Sequence, residues 1–241
     1  MSGSHPLVTA PKGPLDVLYR DDALIVVNKP SGLAAHRGLS NERGDYVLTR
    51  VRDALAQPVY LVHRLDRGTS GAIALVLDPR LVAPLQRAFQ EEQVEKRYLL
   101  LSRGLIADEV LVDYPVPRSL DTPDDRLPAQ TQLRLLGAYA GRYGLVEARP
   151  RTGRYHQIRR HMKHLQRPII GDTTYGDNKE NRLFRERFGL YRLALHAHAL
   201  TVPHPVTGVP VAVTAQLPED LAGPLAAMGF AIGQKSAQLQ G

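Results

Sequence analysis

Asp66 stands between two arginines in Val62-His63-Arg64-Leu65-Asp66-Arg67-Gly68-Thr69-Ser70-Gly71, and this run passes directly into the apolar segment Ala72–Leu77. Gly-Thr-Ser-Gly marks a turn, so the carboxylate falls on a loop held by a strand, where a reactive side chain is both exposed and fixed. Positive charge from Arg64 and Arg67 favours its ionised form, which suits a nucleophile or base better than a proton donor. A surface turn with an Arg–Asp pair has the same residue types, and such a pair contributes only about 0–1 kcal/mol. What decides between the two is what the rest of the chain brings to that carboxylate.

Two other segments offer partners. Tyr98 closes Lys96-Arg97-Tyr98; it is either a core aromatic or, beside a basic groove, a platform for an unpaired base worth about 1–3 kcal/mol. From Arg149 to Arg167 there are seven Lys or Arg residues, three histidines and no acid, as much positive charge as the net +7 of the whole chain. A localised stripe of this kind suits phosphate tracking, whose affinity comes from releasing counterions condensed on nucleic acid. Inside it, Ile158, Met162 and Leu165 form the apolar stripe of a helix over Tyr155–Gln166, with His156, Arg160, Lys163 and Arg167 on other faces. Arg159 lies beside the stripe and either reaches inward or snorkels to the surface.

Several chemistries lack support. The 241 residues include no cysteine, which excludes disulfides, thiolate metal sites and cysteine nucleophiles. No Gly-x-Gly-x-x-Gly opens a helix, no P-loop occurs, and Gly68-Thr69-Ser70-Gly71 lacks the spacing of a nucleophile elbow. The histidines at 156, 161 and 164, and the pair at 196 and 198, have no recognisable ligand spacing and no accompanying Glu, so phosphate contact or helix packing is the expectation and metal is not. No apolar run reaches 18 residues and Met1–Pro14 does not read as a signal peptide, so a soluble, cytoplasmic protein is expected.

The elements that must hold these residues follow from pattern. Residues 1–14, rich in Gly, Ser and Pro, read as a flexible tail. Leu15–Tyr19 and Ala23–Asn28 read as a strand hairpin, 33–44 as a polar loop, and Asp45–Ala56 as an amphipathic helix through Val47, Val51 and Leu55. Ala72–Leu77 has no polar alternation, so that strand should be covered on both faces. A helix follows Pro79, Val94–Leu101 is a strand, and the Pro- and Asp-rich stretch 113–128 is an exposed connection. Thr131–Leu136 and Tyr143–Ala148 pair around Gly141-Arg142, and the basic helix stops before Pro168. Residues 171–189, rich in Gly, Asp, Asn and Arg, read as loop with room for a short helix. His196–Val202 and Val209–Ala215 form a hairpin, followed by a short helix and a tail over 229–241. No internal repeat is present. Many short strands without β-α alternation indicate an α+β domain with a mixed, mainly antiparallel sheet and flanking helices.

His63-Arg64-Leu65-Asp66 followed by Thr69-Ser70-Gly71 resembles the signature of the RluA-type pseudouridine synthases, which isomerise uridine within RNA. Asn28-Lys29-Pro30-Ser31-Gly32, Lys96-Arg97-Tyr98, the run Arg151–Arg159, Pro168-Ile169-Ile170-Gly171-Asp172 and Leu195-His196-Ala197 resemble the family's other blocks in the family's order. The resemblance spans about residues 15–220. It implies a twisted, mainly antiparallel sheet in two halves with RNA in a central cleft, and neither metal nor organic cofactor. By position, Asp66 matches the essential aspartate, Tyr98 the tyrosine that packs on the target base, and Arg159 the arginine that pairs with the aspartate. Arg64 matches a residue that fills the space left by the flipped base, and Leu195, or alternatively Leu193, an apolar contact beneath it. Arg67, Arg154, His156, Arg160 and Lys163 are expected at the RNA.

Through Leu111–Pro115, Arg142–Glu147, Arg159-Arg160-His161, Gly176-Asp177, Asn181-Arg182 and Phe188-Gly189-Leu190 the chain most resembles, among these enzymes, the tRNA pseudouridine synthase C subgroup, whose target is the T-stem uridine at tRNA position 65. Leu127 and Tyr155 depart from that pattern, at positions that bear on RNA affinity. About 14 residues precede the first strand, so the expectation is one catalytic domain over 15–228 without a separate N-terminal RNA-binding domain. RNA, tRNA first, is the expected partner, with no membrane and no obligate protein partner, and the chain is expected to be a monomer. A ribosomal RNA target, a non-catalytic RNA-binding module and a metal-dependent hydrolase are the rival readings.

Overall fold

A computed structural model describes residues 10–36, 44–119 and 121–231. Most of the expected tail over 1–14, the centre of the loop over 33–44 and nearly all of the tail over 229–241 therefore lie outside the described residues.

The chain opens with a hairpin, β1 (Asp16–Arg20) and β2 (Leu24–Lys29), then helix α1 (Val47–Leu55) and a two-residue strand β3 (Tyr60–Leu61). The loop carrying Asp66 leads into β4 (Ser70–Val76), in which every residue is buried. Ala72, Ala74 and Val76 enter one apolar cluster and Ile73 and Leu75 another, which accounts for the missing polar alternation. Past a 3₁₀ turn (Pro79–Leu81), where the Asp78 side chain accepts the Arg80 N–H, α2 (Val82–Gln90) covers the first of those clusters.

The second half begins with β5 (Glu95–Arg103) and β6 (Glu109–Asp113). The stretch expected as an exposed connection holds a small separate ribbon of β7 (Val116–Pro117) and β8 (Arg126–Leu127). Then come the paired strands β9 (Gln130–Tyr139) and β10 (Tyr143–Pro150), and the basic helix α3 (Gln157–His164). Residues 171–189 depart from the loop reading, because α4 (Asn178–Phe188) occupies 11 of them. Asp177 caps its start by accepting from the N–H groups of Lys179 and Glu180, and Gly189 ends it in a left-handed conformation. The closing elements are the hairpin β11 (Leu195–Pro203) and β12 (Pro210–Thr214), then α5 (Glu219–Ala227).

One sheet runs β1-β2-β4-β11-β5-β10-β9-β6, with β3 added on β4 and β12 on β11. Every pairing is antiparallel except β4 with β11, which touch over only two residue pairs, Ser70–His196 and Gly71–Ala197. Beyond them, β12 takes over that side of β11. The two halves of the sheet therefore join through a short parallel contact, and the loops entering β4 and β11 sit side by side at one end of it. Gly71 makes the approach possible: its φ is +114°, and a Cβ there would overlap the carbonyl oxygen of Ala197. This is the α+β, mainly antiparallel architecture with flanking helices that the strand pattern implies.

Candidate active site

A cleft of about 470 Å³ opens where the halves meet, within the size range of small-molecule sites. Its walls come from the loop after β2, the Asp66 loop, the start of α3, the segment after Ile170, α4 and the approach to β11.

Asp66 is fixed by its loop, and the loop by buried polar groups. Lys29, fully buried at the end of β2, donates to the carbonyls of Pro30, Leu33 and Arg67 at 3.0, 2.7 and 3.2 Å. Burial, helped by Arg192 and Arg67, pushes its pKa down to about 7, against the pull of Asp66. Ser31 Oγ donates to the Gly68 carbonyl at 2.8 Å, and Arg67 Nε to the Gly32 carbonyl at 2.8 Å. His63 accepts the Ala74 N–H at 2.9 Å and stacks on Phe89. The histidine of the His-Arg-Leu-Asp signature thus ties the loop to β4.

The two arginines beside Asp66 are not its partners. Arg67 is turned to Gly32, and Arg64 is exposed with its guanidinium 5.9 Å from the centre of the Tyr155 ring. The cation at Asp66 is Arg159, 93 residues away, whose Nη1 donates to Oδ2 at 3.1 Å. Arg159 follows Ile158 on α3 and is turned by about 100° from it, which brings it inward; only 8% of its surface is exposed. Its stronger partner is Asp172, which accepts from Nε at 2.8 Å and Nη2 at 2.9 Å in a bidentate pair. Burial opposes the charge on Arg159, but Asp172 and then Asp66 more than offset this and raise its pKa. Asp172, also buried, is held below the usual carboxylate range by Arg159 and by the N–H groups of Tyr175 and Thr174. Asp172 ends the Pro168–Asp172 block of the resemblance, but its residue type also suits a turn, and sequence reasoning assigned it no role.

Helix α4 holds this segment. Asn181 accepts the Gly171 N–H at 2.7 Å and donates to the Asp172 carbonyl at 2.9 Å. Glu180, the neighbouring residue, accepts from Tyr143 at 2.7 Å and pairs with Arg142, which docks the helix on β10. On the far wall, Arg192 is 2% exposed and donates to Ser70 Oγ at 2.6 Å, to Asp220 at 2.9 Å and to the Leu193 and Leu195 carbonyls. Tyr191 beside it is 65% exposed at the cleft rim.

Of the residues expected at the RNA, the cleft gathers Arg64, Arg67, His156 and Leu193 around Asp66 and Arg159. Others are placed elsewhere. Leu195, the first residue of β11, is 3% exposed in the second-half core and does not line the cleft; of the two candidates, Leu193 does. Arg160 has its N–H groups taken by Tyr175, by the Pro117 carbonyl at 2.8 Å and by that of Ser119; it anchors the β7–β8 ribbon rather than facing open solvent. Arg154 donates to the Pro128 carbonyl at 3.2 Å, and Lys163 is exposed beside Arg103 and Asp177 in a separate depression. The stripe is therefore divided between structural ties and exposed charge. Tyr98 does not line the cleft; it packs between the cores of the two halves, and burial together with the charge of Asp66 raises its pKa. The other histidines of α3 serve packing: His161 bonds to Thr131 and the Tyr114 carbonyl, and His164 stacks on Tyr114.

This cleft sits in a fold shared with solved proteins. Human RNA pseudouridylate synthase domain containing 4 superposes with a TM-score of 0.75 at 24% identity, covering 91% of this chain and 95% of that one. Human RNA pseudouridylate synthase domain containing 1 gives 0.71 at 28% identity, over 88% and 89%. Among curated sequences, a Vibrio cholerae protein named tRNA pseudouridine synthase C is 39% identical over 235 residues, covering 90% of this chain and 96% of the relative. Its namesake in Salmonella typhimurium is 41% identical over 224 residues, covering 85% and 86%. A sequence model described as RNA pseudouridylate synthase matches residues 23–164, from the first hairpin through α3. That match takes in the Asp66 loop and Arg159 together and extends over more than half of the chain, which belongs to the RNA pseudouridylate synthase family, of the RluA type.

Proposed function

We propose that this protein converts a uridine of tRNA to pseudouridine, the T-stem uridine at position 65, with Asp66 as the essential carboxylate. The observation that carries this reading is the ion-paired chain Asp66–Arg159–Asp172 at the wall of a cleft large enough for one nucleotide. The names of the Vibrio and Salmonella relatives support tRNA as the substrate. A family enzyme must break the glycosidic C–N bond, turn the uracil while holding it, and rejoin it to the sugar through carbon. A base stacked in a duplex cannot do this, so the uridine is flipped into the cleft.

Asp66 either attacks the sugar carbon, attacks uracil C6, or removes a proton on a glycal route. Arg159 keeps its carboxylate oriented in each case. Leu193 supplies the apolar wall for the uracil, and Tyr98 supports the floor from between the two cores. Arg64, exposed and within reach of the rim, occupies the space the base leaves. The catalytic unit spans residues 15–228 and acts as a cytoplasmic monomer with RNA as its partner, without cofactor, metal or obligate protein partner. Asp66→Asn tests the assignment: tRNA binding should persist while pseudouridine formation disappears. Pseudouridine mapped in tRNA and rRNA from a deletion strain should be missing at the tRNA site alone. A missing rRNA pseudouridine, or an active Asp66→Asn enzyme, would overturn this function or this residue.

A further inference from the structure

His156 was expected at the RNA backbone, yet its ring lies beside the reacting carboxylate. It precedes α3 with φ 53° and ψ 26°, a left-handed conformation that non-glycine residues seldom adopt. This backbone turn places the imidazole between Asp66 and Tyr175, and Tyr155 covers one face at 3.8 Å between ring centres. Nδ1 lies 3.1 Å from the Tyr175 hydroxyl, and Nε2 lies 3.6 Å from Asp66 Oδ2.

The proton positions follow from what each group can donate. Arg160 Nε contacts the same Tyr175 oxygen at 2.9 Å, and a guanidinium can only donate. Tyr175 accepts from Arg160 and has its single proton available for His156 Nδ1. A neutral imidazole that accepts at Nδ1 carries its proton on Nε2, which faces the carboxylate. The opposite tautomer would set a nitrogen lone pair against Asp66. Charges acting on the ring are Asp66 and Asp172 on one side of the balance and Arg159 and Arg160 on the other. Burial, with Arg159 and Arg160, keeps the ring neutral, its pKa pushed down to about 4.

Arg159 Nη1 also approaches Oδ2, so both cleft donors address the same oxygen, and among the described residues none reaches Oδ1. At 3.6 Å the histidine contact is longer than a hydrogen bond, as catalytic contacts often are before substrate binds. Building on Asp66 as the essential carboxylate, we infer that His156, set in its Nε2–H form by Tyr175 and Arg160, is a positioning residue that with Arg159 holds Oδ2 and leaves Oδ1 to react.

The test is single-turnover kinetics on full-length tRNA transcript with the whole enzyme, alongside the dissociation constant for the same RNA. His156→Ala should slow the chemical step roughly tenfold to hundredfold, the scale of a slightly misplaced reacting group, with Kd unchanged. His156→Gln, whose amide can place an N–H near the Nε2 position, should recover most of that rate. Tyr175→Phe should slow the step by less, and the double variant Tyr175→Phe/His156→Ala should be no slower than His156→Ala alone, because Tyr175 acts through His156. A loss confined to Kd, a Gln variant no better than Ala, or effects that multiply in the double variant would each overturn the inference. Full activity in Asp66→Asn would overturn the reading beneath it, whereas an inactive Asp66→Asn beside a full-rate His156→Ala would overturn this inference alone.

Discussion

Arg159 directs two N–H groups to Asp172 and one to Asp66, so the carboxylates that share it have different duties. Asp172 is 1% exposed and stabilises a buried cation; Asp66, with 21% of its side chain exposed, takes the remaining donor and keeps access to the cleft. Removing one member of a buried pair strands the other, at about 3–5 kcal/mol. Asp172→Asn should therefore lower Tm by roughly 10 °C or more by calorimetry at pH 7.5. Asp66→Asn should move it by only a degree or two, since the bidentate pair survives. The reverse order would make Asp66 the anchor and Asp172 the accessory. The asymmetry explains which half of the pair was legible in the sequence. Asp66 announces itself between arginines before a buried strand, and Arg159 by its place next to Ile158 on an amphipathic helix. Asp172 closes the Pro168–Asp172 block, where turn propensity also accounts for its type, and its partner is defined only once α3 and the segment before α4 are packed together.

At the scale of elements, the site depends on β4 and β11 running parallel for two residue pairs, because that contact brings the Asp66 loop beside the Arg192–Leu193 wall. Gly71→Ala would press a Cβ into the Ala197 backbone at a φ of +114° that L-residues rarely adopt. Backbone strain of this type alone costs about 1–3 kcal/mol and the overlap adds to it. The expected outcome is a fall in Tm of about 6–12 °C, with loss of activity exceeding what unfolding explains; an unchanged Tm would mean that the two halves are not held by this pair. Strands of the sheet were readable because Ala72–Val76 of β4 are all apolar and β9 and β10 flank an obvious turn. Helix α4 was not: Asn-Lys-Glu-Asn-Arg-Leu-Phe-Arg-Glu-Arg-Phe has no continuous apolar stripe, and its buried residues include Glu180 and Asn181, which work through hydrogen bonds. The signals that would have found it are its ends, Asp177 as N-cap and Gly189 as a left-handed stop.

At the scale of the whole molecule, the net charge of +7 reads as an RNA-binding balance, but several of its arginines act inside the protein, holding the β7–β8 ribbon, α4 and α5. Histidines follow the same pattern and make stability depend on pH. Burial pushes His63 down to about 3 and His156 and His196 down to about 4, from an ordinary 6.5. Each is bonded as a neutral ring: His63 accepts the Ala74 N–H, and His196 lies between Ser70 Oγ and the Ala215 carbonyl. Because the folded pKa values lie below the unfolded one, the unfolded chain binds protons that the folded chain refuses between about pH 4 and 6.5. The associated stability is fully present above 6.5 and is lost as pH falls toward 4, at no more than about 1.4 kcal/mol per group per pH unit. Asp21, held down at about 2, adds loss only below its ordinary 3.8, so the imidazoles alone set the slope at milder acidity. For three such groups the upper limit at pH 5 is about 6 kcal/mol, and Tm should fall by roughly 10 °C or more between pH 7.5 and 5. A flat Tm across that interval would require rings that protonate without unfolding, and His63 could do so only by giving up the Ala74 bond that ties the Asp66 loop to β4. Activity would then fall with pH while the fold persisted, so measuring Tm and turnover over the same range separates a site that titrates from a protein that unfolds.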